Sequence, residues 1–315
     1  MTRSLAGGFA LLALAAAPAP AQRTPVFHVG LDLVNVTVTV RDGRGGLVSD
    51  LGAGDFVVRE DGRPQKVEVF APAAAPGQRE ELALNLGMLF DTSESMRKDL
   101  RLSQESAIRF LEAIPRARDL LLIFFDRDIR ISRYSSENQQ GIFGRILETR
   151  GEGYTALNDA ITVYISRVAS TSGRKVLVLF SDGDDTTSQV PPQEVQRLVR
   201  STDVTVYPVA FPGEHRPHSS DALRARAFLH TLASLSGGRV FQPTASRELA
   251  AIYQTILDEL GTQYVLGYVS DNPKHDGKYR RITVELTRPA LKVRHRPGYD
   301  APKVEPPQPA RKLSK

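Results

Sequence analysis

Residues Val34 to Val40 read V-N-V-T-V-T-V, a strict alternation in β-branched residues that predicts a strand with one buried face. Phe56–Arg59 and Val67–Phe70 predict two more short strands, with Asp61-Gly62 between them as a hairpin signal. No helical period appears in this stretch. Beyond a Pro/Ala linker at Ala71–Gln78 the pattern changes. Continuous apolar runs at Leu82–Phe90, Leu120–Phe125, Val176–Phe180 and Val204–Ala210 predict strands covered on both faces. Amphipathic helices alternate with them. Leu157, Ile161, Tyr164, Ile165 and Val168 share one helical face, and similar patterns cover Met96–Ile114, Asp221–Leu235 and Arg247–Leu260. Gly237-Gly238 ends a helix ahead of a short edge strand at Arg239–Phe241.

From Gln263 the strand patterns return, at Tyr264–Val269, Tyr279–Thr287 and Leu291–Arg296, with Asp276-Gly277 as a turn. Three strands make a poor independent unit. They are expected to pair with the strands of residues 26–70 in one composite β-sandwich, with Tyr264, Tyr268 and Tyr279 in its core. The fold class is therefore α/β, a mostly parallel sheet with helices on both faces, plus a sandwich of N- and C-terminal strands. The expected divisions are 1–21, a signal peptide; 22–78 and 262–300, the two parts of the sandwich; 79–261, the α/β domain; and 301–315, a disordered tail.

The signal-peptide expectation rests on Arg3, the apolar run Leu5–Ala17 and the Ala19-Pro20-Ala21 cleavage pattern. That run falls short of the roughly 20 apolar residues that span a bilayer, and no other segment reaches them. Without cysteine there is no lipid attachment, disulfide, thiol nucleophile or thiolate metal site, so a secreted or periplasmic location is expected. The formal net charge of +5 invites a nucleic-acid reading until it is divided along the chain. Arg3 carries +1 and residues 301–315 carry +3, leaving +1 for residues 22–300. The body is nearly neutral and has no clustered basic face, so nucleic acid is not an expected partner.

Candidate chemistry gathers where the apolar runs end. Asp91-Thr92-Ser93-Glu94-Ser95 follows the first buried strand, Gly151–Thr155 precedes the helix that begins at Ala156, and Ser181-Asp182-Gly183 follows Val176–Phe180. In open α/β sheets ligands bind beyond the carboxyl ends of strands, where these loops lie. Two carboxylates and three hydroxyls form an all-oxygen set, suited to Mg²⁺ or another hard divalent cation such as Mn²⁺ or Ca²⁺.

In these loops and in its strand–loop–helix order, the stretch from about 80 to 261 resembles the von Willebrand factor type A domain with its metal-ion-dependent adhesion site. The resemblance implies that Ser93 and Ser95 ligate a metal directly and that Thr155 does so when a partner is bound. Asp91 and Asp182 would act directly or through water. It implies a non-enzymatic module that captures an acidic side chain of a protein partner on the cation's open position. The flanking blocks, Asp55-Phe56…Glu60-Asp61-Gly62 and Gln263-Tyr264…Gly267-Tyr268…Gly298-Tyr299, resemble von Willebrand factor A-related proteins of acidobacterial secretomes.

Competing readings are weaker. Helix capping accounts for one Ser/Asp loop but not three that coincide. A structural or envelope-assembly protein, whose metal only stabilises the fold, is the main alternative. A Mg²⁺-dependent phosphotransferase would need a second Asp two residues after Asp91, where Ser93 stands. His215 and His218, with His230 further on, read as ordinary loop and surface histidines. Asp184 and Asp185 read as a solvated loop and Glu94 as rim surface.

Overall fold

A computed structural model describes residues 33–72, 84–113, 119–135, 141–213 and 219–303. The chain opens with β1 (Leu33–Arg41), β2 (Phe56–Glu60), β3 (Arg63–Gln65) and β4 (Val67–Ala71). The α/β region follows as β5 (Leu84–Asp91), α1 (Leu100–Ala113), β6 (Asp119–Phe125), β7 (Ile129–Ser135), α2 (Ile142–Leu147), α3 (Leu157–Val168), β8 (Arg174–Ser181), α4 (Pro192–Arg200), β9 (Val204–Ala210), α5 (Ser220–Ser236) and α6 (Ser246–Thr262). The chain then returns to strands: β10 (Tyr264–Val269), β11 (Tyr279–Leu286), β12 (Lys292–Arg294) and β13 (Gly298–Asp300).

Five strands form the central sheet in the order β7-β6-β5-β8-β9, parallel except for the antiparallel edge strand β7. Every residue of β5 is buried, as a strand covered on both faces requires. One face packs Phe110 of α1 and Tyr253, Ile256 and Leu260 of α6. The other packs Leu157, Ile161, Tyr164 and Ile165 of α3 with Val195 of α4 and Leu229 of α5. Gly87 in β5 lets Tyr164 lie flat on the sheet: a Cβ there would stand 2.1 Å from the ring. The Tyr164 hydroxyl donates to the Val176 carbonyl at 2.8 Å, satisfying its one polar atom.

The N- and C-terminal strands interleave in two antiparallel sheets, β12-β1-β10-β4 and β13-β11-β2-β3. Val34, Val36, Val38 and Val40 of β1 meet Phe56, Val58, Tyr264, Leu266, Tyr268, Ile282 and Val284 in a shared core. The sandwich sits at the amino ends of the parallel strands. Arg296, between β12 and β13, donates to the carbonyl of Thr202 ahead of β9 at 2.7 Å, and Arg200 at the end of α4 donates to Asp300 at 3.1 Å. Arg41 of β1 pairs at 2.8 Å with Glu259 of α6, and Arg294 also bonds this wholly buried carboxylate.

Several local expectations are corrected. The Asp61-Gly62 turn joins β2 to β3, both residues having positive φ (47° and 82°), whereas β4 crosses to the other sheet and pairs with β10. The helix expected from Met96 begins at Leu100, after a 3-10 turn at Glu94–Met96. Arg239–Phe241 contributes one bridge, Phe241 to Val209, rather than a strand. The strand read at Leu291–Arg296 shortens to β12. Tyr264 and Tyr268 are in the core, but Tyr279 is 45% exposed because β11 turns Arg280, Ile282 and Val284 inward and Tyr279 outward. Residues 1–32, the linker from 73 and most of the tail lie outside the described residues, as do His215 and His218; His230 is exposed on α5.

Candidate functional site

β5 and β8 are adjacent and parallel, with Phe90 opposite Phe180, so Asp91 and Asp182 leave neighbouring strands at the same end of the sheet. Both are buried, with relative exposures of 0% and 3%, and so are Thr92, Ser93, Thr155 and Ser181. Asp91 Oδ1 accepts from the Ser93 backbone N–H at 3.0 Å and from the Ser93 hydroxyl at 2.5 Å. Ser93 Oγ lies 3.1 Å from Ser95 Oγ. The other Asp91 oxygen, Oδ2, accepts from the Ser181 hydroxyl at 2.6 Å.

The Thr155 loop docks on the serine loop through its backbone. Glu152 N donates to the Thr92 carbonyl at 2.9 Å, and Glu94 N donates to the Gly153 carbonyl at 3.1 Å. Gly151 is packed so closely that a Cβ would stand 3.2 Å from the Ser93 carbonyl oxygen. The Thr186 hydroxyl accepts from Thr155 N at 2.8 Å, and Thr186 N returns a bond to the Thr155 carbonyl at 2.9 Å. Thus Asp91, Ser93 and Ser95 are joined by direct bonds, Asp182 reaches Asp91 through its charge, and Thr155 is brought up by its loop. The Thr155 side chain has no hydrogen bond to the other four.

Burial and the neighbouring Asp182 charge push the Asp91 carboxyl up to about 7, against the opposing bonds from Ser181 and Ser93. The ionised form of Asp91, buried and held only by neutral hydroxyls and a backbone N–H, is disfavoured. A divalent cation relieves that directly. The hydroxyls also fit: a serine that donates its proton to Asp91 keeps its lone pairs for a ligand. Neither Ser93, at the start of the 3-10 turn, nor Ala156, ahead of α3, caps its helix through a side chain. Capping therefore does not account for these loops. Among the described residues no three or more His, Asp or Glu side chains cluster as a metal cage.

Three elements of this end were not legible in the sequence. Ser181 was noted only as part of a loop, yet it secures the second Asp91 oxygen. Gly213, with φ +67°, lies against Asp182, where a Cβ would be 2.2 Å from Oδ2; its N–H donates to Asp99 at 3.0 Å. Asp126, just past β6, accepts from the Thr92 hydroxyl at 3.0 Å and from Arg130 at 2.6 Å. Burial opposes ionisation of Asp126, but Arg130 and the Asp128 N–H outweigh it and hold the carboxyl below its usual range. The strand-end rule that selected Asp91 and Asp182 could have selected Asp126. Asp185 proves structural: it accepts from Asn158 N at 2.8 Å at the start of α3 and from Ser188 Oγ at 2.6 Å. Glu94 is exposed, as expected.

A parallel sheet covered on both faces, with acidic and hydroxyl loops converging at its carboxyl end, defines an α/β ligand-binding domain with a candidate hard-cation site. The model of the von Willebrand factor type A domain matches residues 85–255, and the chain belongs to that family, whose domains commonly mediate protein–protein interaction. The pig (Sus scrofa) inter-alpha-trypsin inhibitor heavy chain H4 is 25% identical over 235 residues. That match covers 66% of this chain and 24% of the relative, so the chain spans about a quarter of that protein's length. Among solved structures, a von Willebrand factor type A protein from Catenulispora acidiphila aligns with TM-score 0.47 and 11% identity, covering 88% of this chain and 76% of the other. The ArnB paralog VWA2 from Sulfolobus acidocaldarius aligns with TM-score 0.44 and 14% identity, covering 85% and 76%. No helix among the described residues is long and apolar enough to cross a membrane.

Proposed function

We propose that this protein is an exported, non-enzymatic binding module that takes an acidic side chain of a protein partner through a divalent cation, Mg²⁺ or a similar hard ion. The observation that supports it most is the convergence of buried Asp91, Ser93 and Asp182 with half-buried Ser95, the Ser93 and Ser95 oxygens lying 3.1 Å apart and Ser93 making no side-chain cap. Asp91, Ser93, Ser95, Thr155 and Asp182 would hold the ion, which supplies a positive centre with an open position for a carboxylate. The chain's own part is to orient these oxygens: Ser181 fixes one side of Asp91, Ser93 N–H the other, and the 186–187 backbone fixes Thr155. Few full charges face the ion, so it keeps net positive character toward a partner. Export rests on Arg3, the apolar run that follows and the Ala19-Pro20-Ala21 pattern.

The test is capture of envelope and secreted proteins on immobilised full chain in Mg²⁺, compared with chelator and with Asp91→Ala. Partners retained in Mg²⁺ and released in both other arms support the reading. Binding that survives chelation would instead favour a structural role in which the sandwich makes the contacts.

A further inference from the structure

At the end of the sheet opposite Asp91, where the sandwich meets the α/β domain, lies a cavity of about 380 Å³. β1 contributes Asn35, β8 contributes Lys175, the loop before β9 contributes Asp203, and the C-terminal segment contributes Arg296. Most charges around it are matched. Lys175 pairs with Asp203 at 2.8 Å, Asp300 with Arg200 at 3.1 Å, and Arg280 with Glu60 at 3.5 Å.

Arg296 is the exception. It is 8% exposed, and its guanidinium makes one hydrogen bond, from Nη1 to the Thr202 carbonyl at 2.7 Å. It lies over the Tyr299 ring at 5.5 Å, and its Nε has no partner among the described residues. No carboxylate pairs with it among the described residues. Burial pulls this guanidinium below its usual pKa, with Asp203 acting the other way; an arginine nevertheless stays charged. Asn35, which lines the cavity, also carries a buried atom, Oδ1, with no partner among the described residues. A buried, unpaired guanidinium is costly unless something supplies the anion, and its planar fork matches a carboxylate.

We propose that this cavity binds a small monocarboxylate bearing a hydroxyl or N–H donor, with its carboxylate on Arg296 and its donor on Asn35 Oδ1. The charge balance selects a monoanion: with the other pairs closed, one positive charge remains, too little for a phosphate dianion. The wall is mixed: Ser201, Thr202 and His275 are polar, and Leu33, Ala169 and Pro302 add apolar surface against which a short hydrocarbon body can lie. The volume lies within the roughly 300–1,000 Å³ of small-molecule sites.

The experiment is calorimetric titration of the full chain with 2-hydroxyhexanoate, its methyl ester and inorganic phosphate, in Mg²⁺ and in chelator. The hydroxy acid is expected to bind with a Kd of about 1 mM or tighter in both buffers, the ester and phosphate at least about tenfold more weakly. Arg296→Gln, which removes the fork, and Ala169→Phe, which fills the mouth and leaves Arg296 in place, should each weaken binding at least about tenfold. No binding at about 20 mM, phosphate bound more tightly than the hydroxy acid, or either variant binding like wild type would overturn the proposal. Binding that appears only when residues ahead of Leu33 are deleted would assign the cavity to the chain itself, and would overturn it equally. Because the cavity is remote from Asp91, its failure leaves the metal reading untouched.

Discussion

Asp91→Asn should stabilise the metal-free protein at pH 8 and abolish its stabilisation by Mg²⁺. Asp91 is fully buried, and its carboxyl is raised from 3.8 to about 7 by burial and by Asp182. A group with a raised folded pKa contributes stability that is complete below the unfolded value and lost as pH rises through the folded one. At pH 8 the shift of about three units therefore corresponds to a cost on the order of 4 kcal/mol for holding the site ionised without a cation. Asparagine removes that charge but keeps the shape. Its oxygen can still accept from Ser93, while the bond from Ser181 to Oδ2 is lost or reversed, at about 1–2 kcal/mol. The net is a gain of about 2 kcal/mol in chelator, or roughly 4–8 °C in Tm for a domain of this size. Denaturation of both proteins at pH 4.5 and pH 8, in chelator and in Mg²⁺, reads all terms. The advantage of the variant should shrink at pH 4.5, where wild-type Asp91 is protonated in the fold. In Mg²⁺ at pH 8 the order should reverse. Equal Mg²⁺ shifts in both proteins, or a variant less stable in chelator at pH 8, would refute the reasoning.

Three further outcomes follow from other sites. Glu259→Gln removes the buried partner of Arg41 and Arg294; because those arginines keep 29% and 28% side-chain exposure, urea denaturation should show a loss of about 2–3 kcal/mol, below that of a fully buried pair. Gly213→Ala forces a Cβ to 2.2 Å from Asp182 Oδ2 at φ +67°; it should lower Tm by several degrees and weaken Mg²⁺ binding at least about tenfold by calorimetry. Burial first, then the charge of Arg296, lowers the pKa of His295, whose Nε2 accepts from Val284 N at 3.3 Å. A depressed histidine contributes stability above its unfolded value near 6.5 that is lost as pH falls, so wild type should lose more stability than His295→Gln between pH 6.5 and 5. A common slope for both would remove His295 from the account.

What the sequence made legible was local or periodic. Continuous apolar runs identified four of the five strands of the parallel sheet, and period-2 alternation identified β1. The edge strand β7, with arginines at 130 and 133, has neither pattern, and α4 offers only Val195 and Val199 as buried positions. Asp91, Ser93 and Ser95 stand within five residues and could be read as one unit. Ser181 meets Asp91 across 90 residues, and Asp185 caps α3 from 27 residues away, so both depend on strand neighbours that the sequence does not state. Tyr279 was misplaced because aromatic character outweighed phase. Its neighbour Arg280 takes the buried position and bonds through Nη1 to Ser270, Tyr299 and the Asn272 carbonyl, a solution invisible to a hydrophobicity pattern.

The two ends of the parallel sheet are built on opposite electrostatic terms. At the amino ends, ion pairs and arginine–carbonyl bonds fasten the sandwich to α4, α6 and the turn ahead of β9, so most of the charge there is spent on holding the junction. At the carboxyl ends, Asp91 is buried, and its bonds come from the Ser93 and Ser181 hydroxyls and the Ser93 backbone N–H. A lysine or arginine in that place would stabilise the carboxylates permanently and leave nothing for an exchangeable ion to do. Hydroxyls leave the need open while fixing the oxygens in position. On the proposed reading, neutral support of Asp91 is what would separate a cation site from an ordinary buried ion pair, and substituting the hydroxyls should then matter more in Mg²⁺ than in chelator.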